Sequence, residues 1–304
     1  MKRSVTRREF TKVLALGAGA LTASPLFAAL VRRNLKVGHT GITWGFAPAD
    51  AEGAIRDVGS LGYHGFESFG GVIENWEQRG GIGQLLEAAS LPLRGAYCPV
   101  NLTDPARRAA EVEKIAGWGR LIRKYGGSIA VIGPNNVRRD SYDINEHRAN
   151  IVSTLNDMGM ALMDVGVTGA LHPHTGTCVE NREETYAVME SIDSRHVKFG
   201  PDFGQLQKAG ADPVGVLRDF VSITHHVHMK DYDGGPEFLG YCPLGRGQLQ
   251  VDALADLCES SGNDIMIMVE LDPNVGGRPM PMTPLDTARI SSGYLRTLDY
   301  EFRG

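Results

Sequence analysis

The chain has 304 residues, 42% of them hydrophobic, with 38 glycines, 7% aromatics and a formal net charge of −5. That length buries a large core, in one big α/β domain or two smaller ones. The mildly acidic balance, with no Lys/Arg run in the body of the chain, argues against a nucleic-acid surface. Cysteines 98, 178, 242 and 258 show no C-x-x-C spacing, so no disulfide framework is expected, and Cys98 and Cys178, beside strand ends, read as buried thiols.

Residues 1–29 form a separate segment. Lys2, Arg3, Arg7, Arg8 and Lys12 flank a small apolar run from about Val13 to Leu30. Thr6-Arg7-Arg8-Glu9-Phe10-Thr11-Lys12 resembles the S/T-R-R-x-F-x-K pattern of twin-arginine export signals. The run is short and rich in Gly and Ala, which suits a cleaved signal better than a membrane anchor, the alternative being an amphipathic first helix. Cleavage is expected at Ala28 or Ala29. Taking five basic residues and one acidic residue from a chain of net charge −5 leaves −9, further still from a nucleic-acid partner. The resemblance implies export to the periplasm after folding, with a metal loaded beforehand and no stable membrane association afterwards. The mature domain is then 30–304.

Beyond the signal, strand-like and helix-like segments alternate. The spacing predicts strand 35–43, helix 48–61, strand 63–69, helix 73–90, strand 91–100, helix 105–125, strand 128–133 and helix 145–165. It continues with strand 167–174, helix 182–192, strand 197–203, helix 212–222, strand 223–231, helix 250–261, strand 265–272 and helix 283–299. Asp104-Pro105, Asp212-Pro213 and Thr283-Pro284 are helix starts with proline at the first position, and Gly126-Gly127 is a helix stop. Eight strands alternating with eight helices, with no linker or composition break, predict an α/β fold with a single (β/α)8 TIM barrel. A doubly wound sheet is less consistent, because no G-x-G-x-x-G follows the first strand.

Barrel chemistry lies at the C-terminal strand ends, and the polar residues there are numerous. "GALHPHTGT" places His172 and His174 after the fifth strand, "GPDFGQ" places Asp202 after the sixth, "HHVHMKD" carries His226, His228 and Lys230, and "MVELD" ends on Glu270. Alternation puts 172 with 174, and 226 with 228 and 230, on one face. From His172 the steps to Asp202, His228 and Glu270 are 30, 26 and 42 residues, each about one βα unit of a barrel. Successive strands thus deliver one N or O ligand each, and a His, Asp, His, Glu set suits one divalent metal ion such as Mn, Zn or Co. A buried carboxylate pair beside histidines is also hard to sustain without a cation.

These stretches, with "PDFGQLQKAGADPVGVLRDF" and "PLGRGQLQVDAL", resemble the sugar phosphate isomerase/epimerase superfamily with the xylose isomerase-like barrel, and within it the inosose dehydratase-like branch. The similarity covers roughly 35–300. It implies a metal held by His172 (or its neighbour His174), Asp202, His228 and Glu270. Many relatives carry Glu where His172 stands, so here an imidazole takes that place unless Glu180 reaches in from the following loop. Relatives often show D-x-x-H on the sixth strand, where this chain has Asp202 and Gln205.

The chemistry common to such sites is proton abstraction next to a carbonyl. His174 is the expected base or acid, Glu270 bridges metal and substrate, and Lys230 is a charge partner for an oxyanion or carboxylate. His39, Glu67, Gln205 and Arg246 are expected around the rim as substrate-binding residues, although His39 also reads as a core residue and Glu67 as a structural partner. Asp202 has a competing reading as a turn or cap residue; His225 and Asp231 read as orienting or loop residues. The leading expectation is a metal-dependent isomerase, epimerase or lyase (dehydratase) acting on a non-phosphorylated keto-sugar, inosose or oxidised glycoside. The alternatives are a carbohydrate-binding protein on a retired barrel and an apurinic endonuclease-like hydrolase, the latter disfavoured by the acidic charge. The resemblance also points to a homo-oligomer.

Overall fold

Short apolar segments such as IAVIG (β4, Ile129–Gly133), buried at every residue, can only be satisfied by a sheet covered on both sides. The computed structural model, which describes residues 33–274 and 278–304, has that form. The expected export signal over 1–29 lies outside the described residues.

The remaining strands of the wall are β1 (Lys36–Thr40), β2 (Phe66–Phe69), β3 (Leu93–Pro99), β5 (Thr168–Leu171), β6 (Val197–Phe199), β7 (Val227–Met229) and β10 (Met266–Val269). A two-stranded antiparallel hairpin, β8 (Asp231–Tyr232) with β9 (Tyr241–Cys242), stands apart. The eight wall strands pair in parallel in the order β6-β5-β4-β3-β2-β1-β10-β7. Between β6 and β7 a regular ladder gives way to two isolated parallel bridges, Phe199 with Thr224 and Asp202 with His228. His225 N and His228 N donate there to Phe199 O and Pro201 O, at 3.2 and 2.9 Å. The sheet therefore closes into a (β/α)8 barrel, as the alternation predicts.

Alternation along each strand divides the interior in two. Val37, Phe66, Ala96, Cys98, Ala130, Ile132, Leu171, Val197, Phe199, Val227, Met229, Ile267 and Val269 face outward into one large core shared with the helices. Their neighbours face the lumen, where Ile129, Val131, Ala170 and Tyr97 form a small separate cluster. The lumen is tight at β1, where a Cβ on Gly38 would lie 2.5 Å from Met268 Sδ and 2.8 Å from Gly65 O, so only glycine fits.

The helices are α1 (Pro48–Ser60), α2 (Gly70–Glu77), α3 (Gly83–Ala88), α4 (Arg108–Lys124), α5 (Ile144–Asp164), α6 (Arg182–Met189), α7 (Phe203–Lys208), α8 (Pro213–Phe220), α9 (Val251–Ser260) and α10 (Pro284–Thr297). Asp143, Asn181, Asp212 and Thr283 cap their helices through side-chain acceptors. The helix expected over 73–90 is instead two short ones. Gly80 and Gly81 take φ of +101° and +91°, which no α-helix continues through. Helix α7 and the β8–β9 hairpin are additions to the expected elements. All four cysteines are buried free thiols.

Candidate active site

The lumen-facing positions decide what collects at the C-terminal end of the barrel. His172 continues the face of Ala170, Asp202 that of Lys198, Lys230 that of His226 and His228, and Glu270 that of Met268. Glu67 on β2 and Tyr97 on β3 point the same way. The closing bridge between Asp202 and His228 sets those two residues side by side.

Lys230 is the hub of one half of the cluster. Its Nζ lies 2.9 Å from Asp202 Oδ2, 2.6 Å from Glu270 Oε1 and 2.7 Å from Asp272 Oδ2, and the residue is wholly buried. His228 is the hub of the other half. Its Nδ1 is 2.9 Å from Glu270 Oε2 and 4.0 Å from Asp202 Oδ2, while its Nε2 is 3.0 Å from Glu67 Oε1. Glu67 also accepts from His226 Nε2 at 2.6 Å. The His172 ring stands 4.6 Å from that of His228, and its Nδ1 donates to Gly200 O at 3.1 Å. A carbonyl only accepts, so that bond leaves the lone pair on His172 Nε2.

Burial opposes charge on every one of these groups, and the neighbours decide the outcome. For Lys230 the three carboxylates overcome burial and hold the ammonium well above the ordinary lysine range. Glu270 and Glu67 do the same for His228. Burial works against an ionised Glu67, yet His228 and His226 bring it down to about 2, and His228 with Lys230 keeps Glu270 well below the carboxylate range. At Asp202 burial prevails over Lys230 and raises the carboxyl. His172 is kept neutral by burial, with His228 and His174 adding to it.

One lysine and one protonated histidine do not balance four buried carboxylates, those of Glu67, Asp202, Glu270 and Asp272. His172, Asp202 and His228 each offer a ligand atom, all within 4.8 Å of one another. Asp202 Oδ2 and His228 Nδ1 make ion-pair contacts but no well-directed hydrogen bond. The donor set, the excess negative charge and these two atoms fit a divalent cation bound by His172 Nε2, Asp202, His228 Nδ1 and Glu270. Glu67, accepting from His228 Nε2, fixes the tautomer that leaves Nδ1 for such an ion. His228 would give up its Nδ1 proton on binding.

Above the cluster is a cavity of about 390 Å³, lined by His172, His174, Glu67, Glu270, Asp272 and Tyr97 among others. Asp202 also caps α7, its Oδ1 accepting from Gln205 N at 3.0 Å, so it is a cap and a cluster member at once. His174 Nδ1 donates to Thr175 O at 2.9 Å, and Gln205 Nε2 lies 2.9 Å from His174 Nε2. Gln205 Oε1 accepts from Thr175 Oγ1 at 2.6 Å, so its amide nitrogen faces the histidine and must donate. Gln205 is therefore a partner of His174 and is not in the cavity wall.

Three other expected residues lie elsewhere. His39 has the parity of Val37, so it faces the helix layer, edge-on to Trp44 and Tyr63, with Nδ1 donating to Thr40 O at 2.6 Å. It is Thr40 that lines the cavity. Arg246 is exposed and touches Met282 Sδ at 3.7 Å; its loop wraps Asp231, whose carboxylate accepts from Gly245, Gly247 and Leu249 N. Glu180 turns away from the lumen to Gly176 N and to Arg139, 3.4 Å from its Nε. Asp272 and Tyr97 line the cavity without having been singled out as site residues. Asp272 has the spacing of a second lumen-facing acid two residues beyond Glu270.

The profile of the xylose isomerase-like TIM barrel family matches residues 55–298. Among characterised proteins, the chain is 28% identical over 157 residues to an inosose dehydratase of Clostridium botulinum, covering 48% of this chain and 52% of that one. It is 31% identical over 174 residues to an inosose dehydratase of Mesomycoplasma hyopneumoniae, covering 52% and 56%. The chain spans about half the length of these relatives. Among solved structures, a 3-keto-D-glucoside 4-epimerase from E. coli superposes with a TM-score of 0.66 at 18% identity, over 87% of this chain and 100% of the other. The IOLI protein, solved with a zinc atom, gives 0.69 at 14% identity, over 87% and 98%. At those identities the two structures speak for the fold.

Proposed function

The chain belongs to the xylose isomerase-like TIM barrel family, and from that membership we propose an enzyme that moves a proton on the carbon beside a carbonyl of a carbohydrate. The reading includes isomerisation, epimerisation and dehydration or β-elimination, on a non-phosphorylated keto-sugar, inosose or oxidised glycoside. One observation carries it: lumen-facing residues of five strands and their ends converge on a buried, over-acidic cluster that opens into a cavity. The inosose dehydratase relatives support the substrate class. The expected export signal supports a substrate without phosphate, since sugar phosphates are cytoplasmic metabolites.

When bound, a divalent ion held by His172, Asp202, His228 and Glu270 supplies polarisation of a carbonyl and its neighbouring hydroxyl. The chain supplies the rest. Lys230 Nζ lies beneath the cavity, which it does not line, and its positive charge acts through Asp202, Glu270 and Asp272, which it ties down. His174 presents an unprotonated Nε2 at the cavity, the atom that takes the α-proton once the Gln205 amide yields it. Glu270, shared by His228 and Lys230, is the carboxylate nearest both halves of the cluster.

The test is elemental analysis of the purified protein together with Asp202→Ala and Glu270→Ala. About one equivalent of Mn, Zn or Co, lost in both variants, with solvent deuterium entering keto-sugars only with the wild type, is the expected result. A folded wild type that takes up no metal when it is supplied and exchanges no hydrogen would leave a carbohydrate-binding protein instead.

A further inference from the structure

We infer that the mouth of this cavity is an apolar subsite for the aglycone of a glycoside, so that the preferred substrate carries an aromatic or similarly apolar substituent on the sugar. The inference rests on the reading that the cavity floor works on a carbohydrate. Phe46 is 58% exposed and Leu239 is 40% exposed, and both line the cavity. Large apolar side chains left in water at the opening of a charged pocket call for an occupant. They also come from a different layer of the fold. Ile42, Phe46 and Leu239 stand on loops beyond the strands, whereas Thr40, Glu67, Ser68, His172 and Glu270 stand at or next to strand ends.

The mouth and the floor are joined by aromatic contacts. Phe46 lies 5.4 Å from Phe69, Phe69 lies 5.9 Å from Tyr97, and Tyr97 lies 5.6 Å from His172. A sugar reacting beside His172 therefore projects its substituent along an aromatic wall toward Phe46. Leu239 is held at the opening by construction. It takes φ +61° after Phe238 at +48°, both in the left-handed region that non-glycine residues seldom enter. The turn is pinned by Lys208 Nζ donating to Leu239 O at 2.8 Å, by Phe238 N donating to Asn274 Oδ1 at 2.5 Å, and by Phe238 packing with Tyr241 and Leu271. Strain fixed in this way at a pocket opening is characteristic of ligand clamps. A second sugar ring would find Asn136 as the one exposed polar side chain lining the cavity among the described residues, while Phe46, Leu239 and Ile42 offer its hydroxyls no hydrogen-bonding partner. A phenyl group instead takes this apolar surface out of water.

The experiment compares binding of phenyl and methyl 3-oxo-β-D-glucosides and of 3-oxo-cellobiose to the metal-loaded protein by calorimetry. Wild type, Phe46→Ala and Leu239→Asn are used, asparagine being tolerant of positive φ so that the turn keeps its shape. The phenyl glycoside should bind roughly tenfold tighter than the methyl one, and either substitution should bring that ratio to within about threefold. Equal binding of the two glycosides, tighter binding of the disaccharide, or conversion of an oligomer to monomers by Phe46→Ala would overturn the inference. Hydrogen exchange in deuterated water separates it from the proposed reaction. A phenyl preference without exchange upholds the subsite and removes the chemistry, while exchange without a phenyl preference removes the subsite and upholds the chemistry.

Discussion

The C-terminal end of the lumen and the layer between sheet and helices are both buried and are built of opposite materials. Outward, the strands present Val37, Phe66, Leu171, Val227 and Val269 to a continuous apolar core; inward, the same strands lead to Glu67, His172, His228 and Glu270. A one-residue step along a strand crosses from one region to the other. His39 and His172 make the contrast concrete, since both are 1% exposed histidines at the ends of strands. His39 is an aromatic packing element between Trp44 and Tyr63, and His172 is one of a charged cluster. Burial alone does not identify a functional histidine; sidedness does.

If the lumen is held together by mutual compensation of charge, removing the lysine should cost far more than its packing. Lys230→Ala leaves Asp202, Glu270 and Asp272 facing one another without the ammonium, and breaking a buried ion pair from one side costs about 3–5 kcal/mol. Urea unfolding of the metal-free protein measures it. A loss under about 1 kcal/mol would mean that the three carboxylates find other partners, and the picture of Lys230 as their counter-charge would fail.

The helix-facing layer should respond to pH instead. Burial, opposed only in part by the bond to Thr40 O, lowers His39 to about 4 from the ordinary 6.5. The folded protein keeps the ring neutral while the unfolded chain takes a proton below about 6.5. The stabilisation is therefore complete above that pH, drains as pH falls, and is gone once it passes about 4, a change of about 3 kcal/mol. His39→Phe, which keeps a ring against Trp44 and Tyr63, should flatten the dependence of the unfolding midpoint on pH between 7 and 4 relative to wild type. Parallel curves for the two proteins would show that His39 is charged or hydrated when folded.

Much of this was readable from periodicity. The wall strands follow from short apolar or Gly-bounded runs and the long helices from helical periodicity, with Asp212-Pro213 and Thr283-Pro284 marking two of the starts, because local pattern and tertiary burial agree there. The break at Gly80-Gly81, helix α7 and the β8–β9 hairpin were less accessible, since short elements depend on cap and turn geometry more than on a hydrophobic period. For the site, spacing along the chain singled out His172, Asp202, His228, Lys230 and Glu270, and the fold brings those five together. His39 was misplaced although its parity with Val37 was visible in LKVGHTGIT, and Arg246 because a loop residue has no parity to read. The pairing of Glu67 with His226 and His228 joins positions about 160 residues apart, which no local pattern encodes.

That pairing gives the smallest and most selective expectation for the lumen. Glu67 accepts from both Nε2 atoms, so both histidines carry their protons there and His228 keeps Nδ1 toward Asp202 and Glu270. In Glu67→Gln the amide has one acceptor and one donor end, and it can satisfy one imidazole N–H while opposing the other. If the opposed ring is His228, its proton moves to Nδ1, the atom the cation needs. Metal affinity, measured by competition with a chelator, should then fall about 10- to 100-fold, whereas the four ligating side chains are untouched. An unchanged affinity would mean that the amide opposes His226 and leaves the tautomer of His228 as it was.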